Sequence, residues 1–241
     1  MALVLNEEQR LLAETAREFL AEHAPVAALR ALRDNRDATG YSQALWRQMA
    51  ELGWASVILP ESYGGLEFGF TGIGVLLQET GRTLTASPLF ATAVVGASAI
   101  LLGGTETQRE DYLPRLAAGE LTLALALEES HHHRPLHVAT RAELKGDSLR
   151  LDGEKCFVLD GHSADLLLVV ARTAGAPGDR EGLSVVLVPR DSDGVDCQRT
   201  LMVDSRNAAN IRFDNVTLPA SAILGEPGTA GDWLDAVLDR G

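Results

Sequence analysis

The chain has little cysteine, an excess of acid over base, and no long apolar run. Its two cysteines, Cys156 and Cys197, form no CxxC pair. A disulfide framework or a zinc site is therefore not expected, and a reducing compartment fits. Acidic residues outnumber basic ones, 34 to 21, for a formal charge of −13. Such a chain is a poor candidate for nonspecific nucleic-acid binding, which leaves only local basic patches to take phosphates. No run of about 18 apolar residues marks a membrane span, and no leader-like segment precedes Asn6, so the cytoplasm is the expected compartment. The patterns GxxxxGK[ST] and GxSxG are absent, so neither a P-loop nor an α/β-hydrolase elbow has support. Gly72-Ile73-Gly74 begins like a dinucleotide fingerprint, but Leu77 takes the third glycine position and no strand precedes it. It is taken as a helix start. There is no internal repeat and no low-complexity tract.

What is present suits a soluble globular protein of 241 residues, 46% hydrophobic and 23% charged. That length holds one large domain or two modest ones. The first half is helical in pattern. Asn6 and Gln9 form a capping box, followed by Leu12, Ala16, Phe19 and Leu20 at helical spacing. Leu45, Met49 and Leu52 mark a helix stopped by Gly53. Ile73, Leu76, Leu77 and Thr80 mark another ended by Gly81. Residues 91–102 are apolar or small and predict a buried helix ending at Gly103-Gly104. Thr105 and Gln108 repeat the capping box before a helix running towards Ala117. After Gly119 the period changes, and strands are expected at 121–127, 138–144, 148–159, 166–172, 183–189 and 211–218. Residues 174–182 are turn-rich and predict a surface loop. Helical spacing returns from Thr229, with Trp233, Leu234, Val237 and Leu238 on one face. The expected class is α+β: an N-terminal all-helical domain at 1–120, an antiparallel β-barrel or sandwich at 121–228, and the start of a further helical domain at 229–241.

Several polar groups invite chemistry. His131-His132-His133 lies close to Glu128 and Glu129, but three consecutive side chains cannot converge on one point from regular backbone, and a solvated loop is expected. Lys155, Asp160, His162 and Asp165 cluster near the end of the 148–159 strand. They lack a visible acid–base partner and are taken as turn chemistry, with Asp160-Gly161 closing a hairpin between the 148–159 and 166–172 strands at positive φ. Phe157 most simply belongs to a strand core.

An ordered set of segments resembles the acyl-CoA dehydrogenase family. Leu59-Pro60-Glu61-Ser62-Tyr63-Gly64-Gly65 is similar to that family's Pro-Glu-x-Tyr-Gly-Gly segment, and Gln78-Glu79-Thr80-Gly81-Arg82 to the end of the helix after it. Tyr112-Leu113-Pro114 and Ala118-Gly119-Glu120 resemble the approach to the first β-domain strand. Leu151-Asp152-Gly153-Glu154-Lys155, then Phe213-Asp214-Asn215-Val216, Pro219 and Leu224-Gly225, complete the order.

The resemblance implies a helical domain, a β-domain and a C-terminal four-helix bundle, with FAD between the last two. It implies dehydrogenation of an acyl-CoA thioester: a glutamate takes the α-proton, a hydride passes to the flavin, and electrons go on to an electron-transfer flavoprotein. Carried over by position, Leu125, Leu127 and Glu128 fall on a flavin-contacting strand end, with Glu128 where the family commonly has a threonine. Phe157, Val158 and Leu159 fall on the segment often written Trp-Ile-Thr/Ser, and Leu159 has no side-chain hydrogen bond to offer. Residues 131–134 fall on a turn that touches flavin or substrate, which makes Arg134 a substrate-binding candidate. Gly241 falls where some members carry the base, after Leu238-Asp239, so no catalytic residue is named. The chain is taken as a fragment lacking the bundle and essentially inactive alone. Because the apolar face of Trp233, Leu234, Val237 and Leu238 would have little to pack on, residues 229–241 are expected to dock on another copy or to be poorly ordered. A homo-oligomer or a heteromer with a related subunit is expected. Two other readings remain: a non-catalytic partner subunit with a degraded flavin site, and a binding module without redox chemistry.

Overall fold

The computed structural model describes residues 4–241, so the first three residues of the expected helical domain lie outside it. Seven α-helices and seven strands carry the described chain. α1 (Glu7–His23), α2 (Val26–Asp34), α3 (Gln43–Glu51), α4 (Gly69–Thr83), α5 (Ala97–Gly103) and α6 (Glu106–Ala117) precede β1 (Leu123–Ala126), β2 (Arg141–Lys145), β3 (Ser148–Leu159), β4 (Leu166–Arg172), β5 (Leu183–Pro189), β6 (Val195–Leu201), β7 (Asn207–Pro219) and α7 (Leu234–Leu238). Both capping boxes form. Asn6 Oδ1 accepts from Gln9 N at 2.8 Å and Gln9 Oε1 from Asn6 N at 3.0 Å. Thr105 and Gln108 exchange the same pair of bonds. Gly53 stops α3 at φ 80°, but Gly81 does not stop α4. That helix runs to Thr83 and ends on Leu84 in the left-handed region, φ 53°.

Two elements carry no signal that the sequence reading used. α2 follows Pro25 and buries none of its residues fully. β6 is a polar edge strand, VDCQRTL, with no fully buried position. The expected buried helix at 91–102 is present, but its first part, Phe90–Gly96, is wound as a π-helix before α5 continues it.

The β-domain is one curled sheet, and it is mixed rather than purely antiparallel. β4 lies between β5, which pairs antiparallel along its whole length, and β1, which runs parallel to it from Leu123↔Leu166 to Ala126↔Val169. β2 meets the same edge of β4 at Arg141↔Arg172. β2, β3, β7 and β6 continue the sheet antiparallel. All seven β4 residues are buried, because one face packs on the helices and the other fills the sheet's interior. That double burial is why LLLVVAR lacks alternation.

The expected β3–β4 hairpin is corrected. Asp160 does sit at positive φ, 56°, but β3 pairs with β2 and β7 while β4 pairs with β1 and β5. The turn is an arch between two regions of the sheet. Asp160 N donates to Asn207 O, and Asp165 N and Leu166 N donate to Thr122 O, so each arm of the turn bonds a different strand's neighbour.

The apolar face of α7 is also corrected. Leu234 and Val237 are buried in the cluster that includes Ile100, Leu113, Leu123 and Leu168, with Trp233 and Leu238 packed against it. A Cβ on Gly103 would come within 2.3 Å of the Trp233 ring, so the glycine is what lets the indole lie flat on the end of α5. The face is covered by its own chain, not left for a second copy.

Candidate functional site

Between the helical domain and the sheet lies a cavity of about 220 Å³. Phe90, Ala91 and Val95 of the π-helical turn form one wall, Val237 and Leu238 of α7 another. The sheet supplies Leu125 and Leu127 from the end of β1, and Cys156, Phe157 and Leu159 from β3. Glu128 and His133 are the ionisable side chains at its rim.

The geometry of β3 explains this display. Lys155 pairs with Ile211 and Val158 with Ala209, so Cys156 and Phe157 together oppose the single residue Asn210. This is a β-bulge, and Phe157 takes it up in the left-handed region, φ 52°. Bulges recur beside active sites because they re-aim side chains, and a bulky residue at positive φ costs about 1–2 kcal/mol. In regular pleat only alternate residues would reach the cavity. Here Cys156 and Phe157 both reach it, and the ring is 44% exposed instead of buried in a strand core.

The bulge makes a testable signature. In ordinary strand, glycine is less stable than alanine by about 0.5–1 kcal/mol. At position 157 the order should invert. Phe157→Gly should be the more stable variant by about 1 kcal/mol, because alanine keeps a Cβ in the left-handed region. Denaturant unfolding of the two proteins measures the difference, and an alanine variant as stable as the glycine one would remove the strain argument.

Two strand ends are locked together behind the cavity. Lys155 is fully buried, and its Nζ donates to Leu127 O at 2.9 Å and to Glu129 Oε1 at 2.7 Å. The Glu129 carboxylate also accepts from Ala139 N at 2.6 Å and Thr140 N at 2.9 Å. Burial would raise the Glu129 pKa, but the Lys155 ammonium and these N–H donors outweigh it and hold the group low. Burial dominates for Lys155 and pulls it down to about 8 despite its partner. The pair is ionised near neutrality. Cys156 N donates to Glu128 O at 2.8 Å, which seats the bulge directly on the end of β1. Burial pushes the Cys156 thiol up.

The rim is a clasp. His133 Nδ1 lies 2.7 Å from Glu128 Oε1, and Arg134 N donates to Glu128 Oε2 at 3.1 Å. The His131 ring sits edge-on to Phe157 with centroids 5.5 Å apart. The histidine run lies in an exposed turn, and no group of three or more His, Cys, Asp or Glu is placed to hold a metal among the described residues.

The structure therefore brings Leu125, Leu127, Glu128, Phe157 and Leu159 to one cavity. Val158 points the other way, into the sheet's interior, and the exposed Arg134 side chain lies outside the lining. Sequence reasoning missed the helical wall at Phe90, Ala91 and Val95, which reads as plain buried helix, and the Lys155–Glu129 pair, whose members are 26 positions apart. Asp160 makes the expected turn, but its burial carried no sequence signal: it is 4% exposed with no partner at Oδ2, and burial raises its pKa to about 6.

Comparison with known proteins follows the same two-part layout. The family model described as acyl-CoA dehydrogenase, N-terminal domain, matches residues 6–120, and that for the acyl-CoA dehydrogenase middle domain matches residues 126–216. Mitochondrial isovaleryl-CoA dehydrogenase of Pongo abelii is 31% identical over 92% of this chain and 53% of its own length. The solved glutaryl-coenzyme A dehydrogenase glutaryl-CoA complex superposes with a TM-score of 0.86 at 28% identity, covering 100% of this chain and 62% of the other. The G363A variant of the Tcur3481-Tcur3483 steroid ACAD gives a TM-score of 0.82 at 33% identity, covering 97% and 60%. The chain thus spans little more than half the length of the relatives it matches. No helix among the described residues is long and apolar enough to cross a membrane.

Proposed function

Because the chain belongs to the acyl-CoA dehydrogenase family, we propose that it supplies the helical and β-domain walls of a flavoprotein that oxidises the Cα–Cβ bond of an acyl-CoA thioester. The division at 1–120, 121–228 and 229–241 is part of the proposal. The observation that carries it is the strained bulge that turns Phe157 into an apolar cavity between the two domains.

The cavity suits a flat, mostly apolar ring. Phe157 offers an aromatic face, and Leu125, Leu127 and Leu159 offer walls. FAD, when bound there, supplies the hydride acceptor. The chain's own residues would orient the ring and exclude water, which strengthens every remaining electrostatic contact. Hydrogen bonding is the weaker part of the fit. Glu128 can only accept, its two oxygens are already engaged, and its charge opposes electrons added nearby. The exposed Arg134 side chain, just outside the cavity, is the candidate for the anionic part of an acyl-CoA. Electron-transfer flavoprotein as acceptor, a homo-oligomeric or heteromeric assembly, a role in lipid metabolism and a cytoplasmic location complete the proposal.

A second reading is that the chain is a non-catalytic partner subunit. Glu128 and Leu159 favour it, since neither side chain can donate a hydrogen bond to a flavin. The likeness to a steroid ACAD named for two gene products also supports it.

One titration separates the two. FAD added to the purified chain should shift the flavin's visible absorption and quench its emission, and Phe157→Ala should weaken the effect at least tenfold. No perturbation at large excess of FAD would favour the partner-subunit reading.

A further inference from the structure

On the far side of the domain interface, α2 and the β6–β7 hairpin enclose a second cleft of about 320 Å³. Arg33, Arg36, Arg199 and Arg206 all line it, and no acidic residue does. That is unexpected in a chain with 34 acidic residues and a formal charge of −13. Arg33 pairs with its neighbour Asp34. Arg36, Arg199 and Arg206 form no ion pair among the described residues.

The cleft is built, not incidental. Arg199 is half-buried and strapped in place by neutral acceptors alone: the carbonyls of Asp37 and Ala38, and Asn207 Oδ1 at 2.9 Å. Its Nε is buried without any partner. A guanidinium held this way has no counter-ion and keeps two of its five N–H donors unspent, the Nε–H and one on Nη2. The nearby backbone is shaped around it. A Cβ on Gly40, which sits at φ 75°, would come within 2.4 Å of Arg199 Nη2 and 2.1 Å of Asn207 Oδ1. Arg36 and Ser205 also adopt the left-handed region, at φ 51° and 61°. Backbone held in sparsely populated regions is concentrated at ligand sites.

We propose that this cleft binds a phosphate-bearing small molecule, with Arg36, Arg199 and Arg206 as its cationic ligands. A carboxylate carries one charge and is satisfied by a single bidentate guanidinium. Three unpaired guanidinia call for an oxyanion with more charge and more acceptor oxygens, and phosphate matches the guanidinium fork. The Thr200 and Ser205 hydroxyls, which also line the cleft, add neutral donors. Leu29, Leu32 and Met202 give the rest of the ligand an apolar wall. The cleft shares no lining residue with the Phe157 cavity, so the inference stands apart from the dehydrogenase reading.

Inorganic pyrophosphate is the probe, titrated into the full chain by calorimetry at fixed ionic strength. Saturable one-to-one binding is expected, weakening as salt rises. Arg36→Gln and Arg206→Gln are both exposed and make no side-chain hydrogen bonds, so they should fold normally and together weaken binding at least tenfold. Lys145→Gln removes one positive charge, as each arginine substitution does, but away from the cleft, and should leave binding unchanged. Absence of saturable binding at millimolar pyrophosphate overturns the proposal. So does equal weakening by Lys145→Gln and the two arginine variants, since attraction would then be diffuse.

Discussion

Replacing Arg172 by methionine should destabilise the protein by about 4 kcal/mol or more. The side chain closes β4 and is 1% exposed. Its guanidinium donates to four backbone carbonyls: Val138 O at 2.9 Å, Leu136 O at 2.8 Å, Asp179 O at 2.6 Å and Glu181 O at 3.1 Å. Two come from the irregular segment before β2 and two from the 174–182 loop. Neither segment has a ladder of its own at these residues, so one side chain stands in for missing secondary structure. Methionine fills the volume and leaves Val138 O, Asp179 O and Glu181 O to find other donors, while Leu136 O keeps Gly178 N and Val138 N. Each buried group left unsatisfied costs about 1–3 kcal/mol, and partial access of the loop to water keeps the total below the full sum. Arg172→Lys keeps the charge but has at most three donors without the planar fork, so it should fall between the two. Chemical denaturation gives the values. A methionine variant within about 1 kcal/mol of wild type would show that the loops hold themselves.

The layout of this fold was legible, and its reasons are local. The change from helical to alternating spacing at Gly119 is a property of single segments, so it survives the loss of tertiary information. Both capping boxes formed because their partners are three residues apart. The failures are tertiary. The apolar stretches CFVL and LLLVV on either side of Asp160-Gly161 invite a hairpin, yet the choice of partner is made by β7 and β1, which lie elsewhere in the sequence. β6 is an edge strand with only Val195, Cys197 and Leu201 apolar and none of them buried, so its apolar half-pattern is too weak to stand out. Trp233, Leu234, Val237 and Leu238 announce an apolar face, but only Gly103 and the α5 surface say what covers it.

The site was legible in part for the same reason. Phe157 and Glu128 could be placed by resemblance, and the cavity does bring them together. The bulge could not be read, because it exists only as a count of two residues against Asn210 on another strand. Nor could the ion pair behind it. Lys155 and Glu129 look like ordinary surface charges in a chain that is 23% charged. Burial makes them exceptional, and burial is set by β1, β2 and β3 meeting at that point. The arginine cleft is more extreme, since Arg36 and Arg199 come from opposite domains.

Lys155→Met should lower stability by about 3–5 kcal/mol and loosen the candidate flavin cavity at the same time. The substitution leaves the Glu129 carboxylate, only 14% exposed, without a counter-ion, and breaking one side of a buried pair typically costs about that much. For a chain of this size it corresponds to a fall in melting temperature of roughly 6–20 °C. The Ala139 and Thr140 N–H groups still need an acceptor, so adding Glu129→Leu would not help. Adding Glu129→Gln should, because the amide oxygen can serve those donors while both charges are gone. Lys155→Met with Glu129→Gln should therefore recover about half the loss or more. The local consequence follows from Lys155 Nζ and Leu127 O. Without that bond and the pair beside it, the end of β1 and the bulge of β3 are joined mainly by Cys156 N to Glu128 O. Amide exchange at Cys156 should quicken, and any FAD-induced spectral shift should weaken in the single variant and return in the double. Exchange that stays slow while stability falls would mean the pair stabilises the fold without positioning the cavity.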